Sequence, residues 1–171
     1  SRQEIDLTVF FCADYGLRTY RDKGFGVEFK WDVPLVEGYH SEFLANYSPR
    51  PNSLGFWGQV NPGIIRQLRE RQFDAVLIMG WARFTNWLAI ITAVSLGIPI
   101  LMRGETNLLP VLPGWKNRVK QAILGKLFKS ISGFLAIGKY NEEFYRAYNV
   151  PAAKIYLAPY AVDNDFFIAK A

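Results

Sequence analysis

A chain of 171 residues, half of them apolar and 16% aromatic, is long enough to bury a core unaided and too apolar for a disordered tail. One cysteine and one histidine exclude an internal disulfide and nearly exclude a zinc site, and the lone thiol favours a reducing, cytoplasmic setting. The excess behind the net charge of +5 is concentrated: no Asp or Glu falls between Thr106 and Asn141, where Lys116, Arg118, Lys120, Lys126, Lys129 and Lys139 all lie.

In chain order, Ile5 to Cys12 is rich in β-branched and aromatic residues and predicts a strand, closing at the turn Ala13-Asp14-Tyr15-Gly16. Phe25 to Trp31 alternates apolar and polar, as an edge strand does. Asp32 to Trp57, with Pro34, Gly38, Pro49 and Pro51, reads as a long packed loop. Asn61-Pro62 predicts a helix start with Asn61 as N-cap, and Ile64, Ile65 and Leu68 form its inner side.

Ala75 to Met79 is apolar without alternation, which predicts a strand covered on both faces. A helix from Arg83 to Leu96 follows, ended by Gly97 and Pro99. Ile100 to Met102 is the next buried run, and it gives way to Arg103-Gly104-Glu105-Thr106-Asn107. Gly114 leads into a helix whose apolar arc is Val119, Ile123, Leu124, Leu127, Phe128 and Ile131. Arg118, Lys126 and Lys129 stand opposite, and Lys120 must snorkel from inside the arc. Phe134 to Ile137, Asn141 to Tyr148 and Ile155 to Ala158 complete the alternation as strand, helix and strand. Such β/α alternation predicts one α/β domain over residues 1–171, a three-layer αβα Rossmann-like fold with a parallel sheet. The chain also reads as a piece of something longer.

Chemistry is expected where strands end, since the carboxyl edge of an open parallel sheet is where ligands bind. The candidates there are Asp14, Trp81, Arg83, Arg103, Glu105, Lys139 and Asp163. Each has a plainer alternative: Asp14 fixing a turn, Trp81 packing, Arg103 and Glu105 neutralising each other. Glu105 stands out, because a carboxylate beside Gly104 just beyond a buried strand suits proton transfer or sugar binding better than packing. His40, the only histidine, lies near Glu37 and Glu42 and is a second-rank candidate.

The basic helix over 114–131 reads as a charged outer face or as a peripheral contact with an anionic membrane. No nucleic-acid recognition module is present. The dinucleotide, P-loop and nucleophile-elbow motifs are absent too, as are an apolar run of the roughly 18 residues that span a bilayer and a signal-peptide start.

The run from Phe134 to Gly138, the helix with Tyr145 and Tyr148, Asn149-Val150-Pro151, and Lys154 to Asp163 followed by Phe166-Phe167 resembles the end of an N-terminal domain in the GT-B glycosyltransferases. It is most similar to the family 4 group. That group shows "G-[IV]-P-xx-K-[IV]" and "[IV]-P-x-G-[IV]-D" here; this chain has Tyr160-Ala161 where glycine is usual, and Arg103-Gly104-Glu105 where many members have histidine. The resemblance covers about residues 62 to 167. It implies a GT-B N-terminal, acceptor-side domain lacking the family's first strand, with a donor-binding half to follow Phe167. It further implies a metal-free, cofactor-free transfer from a nucleotide-sugar to a saccharide or lipid-linked acceptor, of the kind that serves polysaccharide biosynthesis. Glu105 would be catalytic, with Arg103, Trp81, Asp14, His40 and Lys139 binding substrate. The alternative is a non-catalytic domain of the same fold that docks on a membrane or a synthesis complex.

Overall fold

The computed structural model describes residues 5–14, 20–21, 28–29, 36–51, 55–108, 114–161 and 168. The chain forms two compact units, Ser1–Gln72 with Ala82–Thr92 and Phe73–Trp81 with Ala93–Ala171.

In the first unit the strands are β1 (Thr8–Phe11), β2 (Tyr20–Arg21), β3 (Glu28–Phe29) and β4 (His40–Phe43). β2 and β3 pair antiparallel, whereas β1 and β4 pair parallel, with Thr8 opposite His40 and Phe11 opposite Phe43. The last two rings stack 4.9 Å apart. Residues 40–43 are therefore strand rather than loop. Their local composition is loop-like, and a partner distant in the sequence makes them β.

Helix α1 (Gly63–Glu70) follows, with Pro62 and not Asn61 in the capping position, and no side chain closes the cap. Asn61 contributes its carbonyl, which accepts from Ile64 N at 3.2 Å. Its side chain turns inward and is fully buried. There Nδ2 is shared among the carbonyls of Cys12, Leu44 and Ala45 at 3.0–3.1 Å, and Oδ1 faces the Thr85 hydroxyl at 2.8 Å. One amide thus serves three backbone carbonyls and ties together two stretches of chain, at Cys12 and at Leu44-Ala45.

In the second unit β5 (Val76–Met79), β6 (Ile100–Arg103), β7 (Gly133–Ala136) and β8 (Ile155–Leu157) form a parallel sheet in that order. The helices of this part of the chain are α2 (Phe84–Leu96), which runs across both units, α3 (Gly114–Lys129) and α4 (Lys139–Ala147). The fold is α/β with a parallel four-stranded sheet flanked by helices, the Rossmann-like arrangement expected.

Register puts Ile78, Met102 and Phe134 side by side on one face. Phe134 meets Phe128 of α3 at 5.1 Å and Tyr145 of α4 at 4.6 Å between ring centres, so both helices lie on that face. Right-handed crossovers between strands added in one direction have this consequence. Ile78, Ile100, Met102, Phe134 and Ala136 are buried, but Leu77 and Met79 are 52% and 60% exposed. β5 is therefore covered on one face only, not on both. A strand at the sheet edge can be apolar throughout and still keep one side open.

The helix stops have local causes. Gly97, at φ 70, ends α2: its N–H bonds Val94 O and the Ile98 N–H bonds Ala93 O. This is a glycine in the left-handed position of a Schellman cap. Asn149, at φ 59, does the same for α4, with Val150 N reaching Tyr145 O. Asparagine tolerates this left-handed conformation better than most residues with a Cβ. Lys154 Nζ donates to Ile131 O at 2.8 Å and ties the approach to β8 to the approach to β7. The Asn-Val-Pro-x-x-Lys run is thus architectural.

Helix α3 departs from its expected arc. Leu124, Leu127 and Phe128 are buried, but Val119 and Ile123 face outward, 50% and 49% exposed, together with Trp115. Lys120 is half-buried, with its ammonium 5.6 Å from the Phe144 ring centre, so it does snorkel from the inner face.

Candidate functional site

All four strands of a parallel sheet end on the same edge. In the second unit that edge carries Gly80-Trp81 after β5, Arg103-Gly104-Glu105 at the end of β6, Ile137-Gly138-Lys139 after β7 and Ala158-Pro159-Tyr160 after β8. Gly80 turns the chain at φ 75, a conformation that side chains with a Cβ disfavour. A Cβ on Gly104 would stand 3.7 Å from Gly80 Cα, from a Trp81 ring carbon and from the Tyr145 hydroxyl, so Gly104 is packed among these three.

Glu105 is exposed, and its carboxylate accepts a hydrogen bond from the Tyr160 hydroxyl. Arg103 lies beneath, its guanidinium carbon 4.4 Å from the Tyr160 ring centre, and Nη2 donates to Ala158 O at 3.1 Å. Ala158 is itself anchored, its N–H donating to Ala136 O at 2.7 Å. Arg103 therefore holds the segment after β8 and the tyrosine ring, while Glu105 is engaged by the tyrosine. The hydrogen bond to Glu105 pushes the Tyr160 phenol above its ordinary value, and the Arg103 charge opposes this. Such a group has a basic oxygen within reach of solutes, a phenol that follows it, and a fixed cation behind. It can accept a proton from a hydroxyl or hold a polyol by hydrogen bonds.

Asn141, nearly fully buried, secures the loop after Glu105: Nδ2 donates to Thr106 O at 2.8 Å and Oδ1 accepts from Ile137 N at 3.2 Å. Tyr145 is fully buried, and its hydroxyl finds no partner among the described residues. Burial pushes this phenol up; Asn141 and the Gly104 backbone pull the other way but are too poorly placed to satisfy it. Replacing Tyr145 by phenylalanine removes an unsatisfied group, so stability should stay within about 1 kcal/mol of the parent or rise.

The pH dependence of that variant follows from the raised phenol. Below the ordinary tyrosine value of about 10 both states keep the proton; above it the unfolded chain ionises first, and stability falls as pH rises. Tyr145→Phe should make this alkaline loss shallower. Urea unfolding at neutral and alkaline pH checks both expectations, and a variant as alkali-sensitive as the parent would contradict the second.

The other candidates take different places. Trp81 is half-buried, 5.5 Å from Phe128 and stacked 5.8 Å from Phe144 between ring centres, so it walls the edge from inside. Lys139 is exposed at the first position of α4. Asp14, half-buried after β1, and Arg83 belong to the first unit, as does His40. His40 Nε2 lies 2.7 Å from Glu42, which Arg71 also binds. Arg71 first, then His40, holds the Glu42 carboxyl below its ordinary value. His40 is thus part of an ion cluster on β4. Asp163 lies outside the described residues.

The residue that sequence reasoning passed over is Tyr160. Its one available signal was its place directly after the last strand. Cys12 is half-buried and its thiol is pushed up by burial, which makes it a poor nucleophile at neutral pH. Among the described residues no three His, Cys, Asp or Glu side chains come together as a metal site requires. Compared with protein-family models and with curated proteins, the chain matches none of them.

Proposed function

We propose that this chain is the acceptor-side domain of a GT-B, family 4-like glycosyltransferase, which transfers a sugar from a nucleotide-sugar to a saccharide or lipid-linked hydroxyl. The observation that carries the reading is the exposed Glu105 at the carboxyl edge of the parallel sheet, bonded to Tyr160, with Arg103 behind it. An acceptor hydroxyl takes the place of the Tyr160 hydroxyl on Glu105. The carboxylate then accepts the acceptor proton as the oxygen attacks the anomeric carbon, and the nucleoside diphosphate leaves. Trp81 and Gly104 shape the floor, and Lys139 stands at the rim, where it meets anionic groups of the substrate. In this reading a second domain of the same polypeptide binds the nucleotide.

Thermal-shift measurements with UDP-, GDP- and ADP-sugars test the reading on a polypeptide carrying both domains, beside the 171-residue chain alone. Stabilisation of the longer protein by one nucleotide class, and none of the chain alone, is expected. Indifference of both to every nucleotide-sugar would remove the proposal.

A further inference from the structure

We infer that the outward face of α3 seats the domain on an anionic lipid surface. This rests on the helix alone and stands or falls independently of the glycosyltransferase reading. At about 100° per residue, Ala122, Trp115, Lys126, Val119 and Ile123 fall within an arc of about 100°, with Arg118 and Lys129 along one flank. Leu124, Leu127 and Phe128 occupy the opposite side and are buried, so the orientation of the helix is set by its inner residues. That leaves Trp115, Val119 and Ile123 at 67%, 50% and 49% exposure, beside Arg118, Lys126 and Lys129, which are all exposed.

Apolar side chains at this spacing are ordinarily turned inward. Here the inner side is already filled by other residues. The occupant follows from charge. From Thr106 to Asn141 the chain carries no carboxylate, so the helix and its flanking segments bring no negative charge of their own to an anionic surface. A protein partner of ordinary composition would match the apolar stripe without requiring this one-sided charge. A bilayer with anionic headgroups matches both, taking Trp115, Val119 and Ile123 into the headgroup and acyl boundary while Arg118, Lys126 and Lys129 meet phosphates. No described helix is long and apolar enough to cross a membrane, so the contact is one of lying on the surface.

The test is flotation of the whole chain with phosphatidylcholine vesicles, with and without phosphatidylglycerol. The chain should float only with the anionic vesicles, and raised salt should release it. Arg118→Gln, Lys126→Gln and Lys129→Gln together should lower the partition coefficient by about a hundredfold. Val119→Ser with Ile123→Ser should lower it by about tenfold or more. All five side chains are exposed, and thermal melts should match the parent. Absence of flotation with anionic vesicles overturns the inference, and so does flotation that neither variant weakens. A loss confined to the charge variant overturns the inserted face. In lipid-free sedimentation, a dimer that Val119→Ser/Ile123→Ser dissociates, with no vesicle binding, would give the face to a second copy instead.

Discussion

Glu105→Gln should lower the turnover of the proposed transfer by a factor of about 10² to 10⁴, the usual contribution of a positioned general base. The substitution keeps the size of the side chain and an oxygen that accepts from the Tyr160 hydroxyl, but it cannot take a proton. Glu105 is exposed and an amide keeps the acceptor for the Tyr160 hydroxyl, so the unfolding midpoint should move little. Tyr160→Phe is the companion variant. It removes the hydroxyl that the acceptor displaces and leaves the base, so kcat should be largely kept and KM should not rise. Steady-state kinetics with the donor and acceptor found by binding measurements decides the matter. Unchanged turnover in Glu105→Gln would end the assignment, and the sheet edge would then be a binding surface only.

Asn61→Ala should cost about 2–4 kcal/mol in urea unfolding, because it strips the amide donor from the backbone carbonyls of Cys12, Leu44 and Ala45, while the Thr85 hydroxyl keeps Gln59 O. The size of the effect separates two roles. A lost helix cap costs about 1 kcal/mol, and the side chain of Asn61 does not cap α1. Asn61→Asp should be no rescue, since it replaces an NH2 donor by a carboxylate facing three carbonyl oxygens in a buried position. Thr85→Ala should lose less, because the amide retains its carbonyl partners. A cost near 1 kcal/mol for Asn61→Ala would show that the inward hydrogen bonds are replaced by water.

Much of the candidate site could be read before folding was considered. Arg103-Gly104-Glu105 follows a run of apolar residues, and a buried run that breaks into charge marks a strand end at a sheet edge. The relation among these residues could not be read. Arg103 and Glu105 stand two apart and invite a mutual ion pair, yet Arg103 is drawn to Ala158 and the Tyr160 ring, and Glu105 to the Tyr160 hydroxyl. That arrangement depends on β8 lying beside β7 in register, a contact between segments far apart in the chain. His40 shows the converse. Being the only histidine drew attention to it, but its neighbours Glu42 and Arg71 make it a member of a surface ion cluster.

The order of strands and helices in the second unit, their ends at Gly97 and Pro99, and the charge segregation around α3 were all legible from composition. They arise from interactions that reach only a few residues along the chain: apolar periodicity, left-handed caps and proline stops. Folding settled the pairing of β1 with β4, the inward turn of Asn61, the open face of β5 and the meeting of Tyr160 with Glu105. It also settled which side of α3 faces in. Apolar and basic residues are interleaved round this helix, so its sequence alone does not say so, and the choice falls to Phe134, Phe144 and Tyr145, against which the Phe128 ring packs.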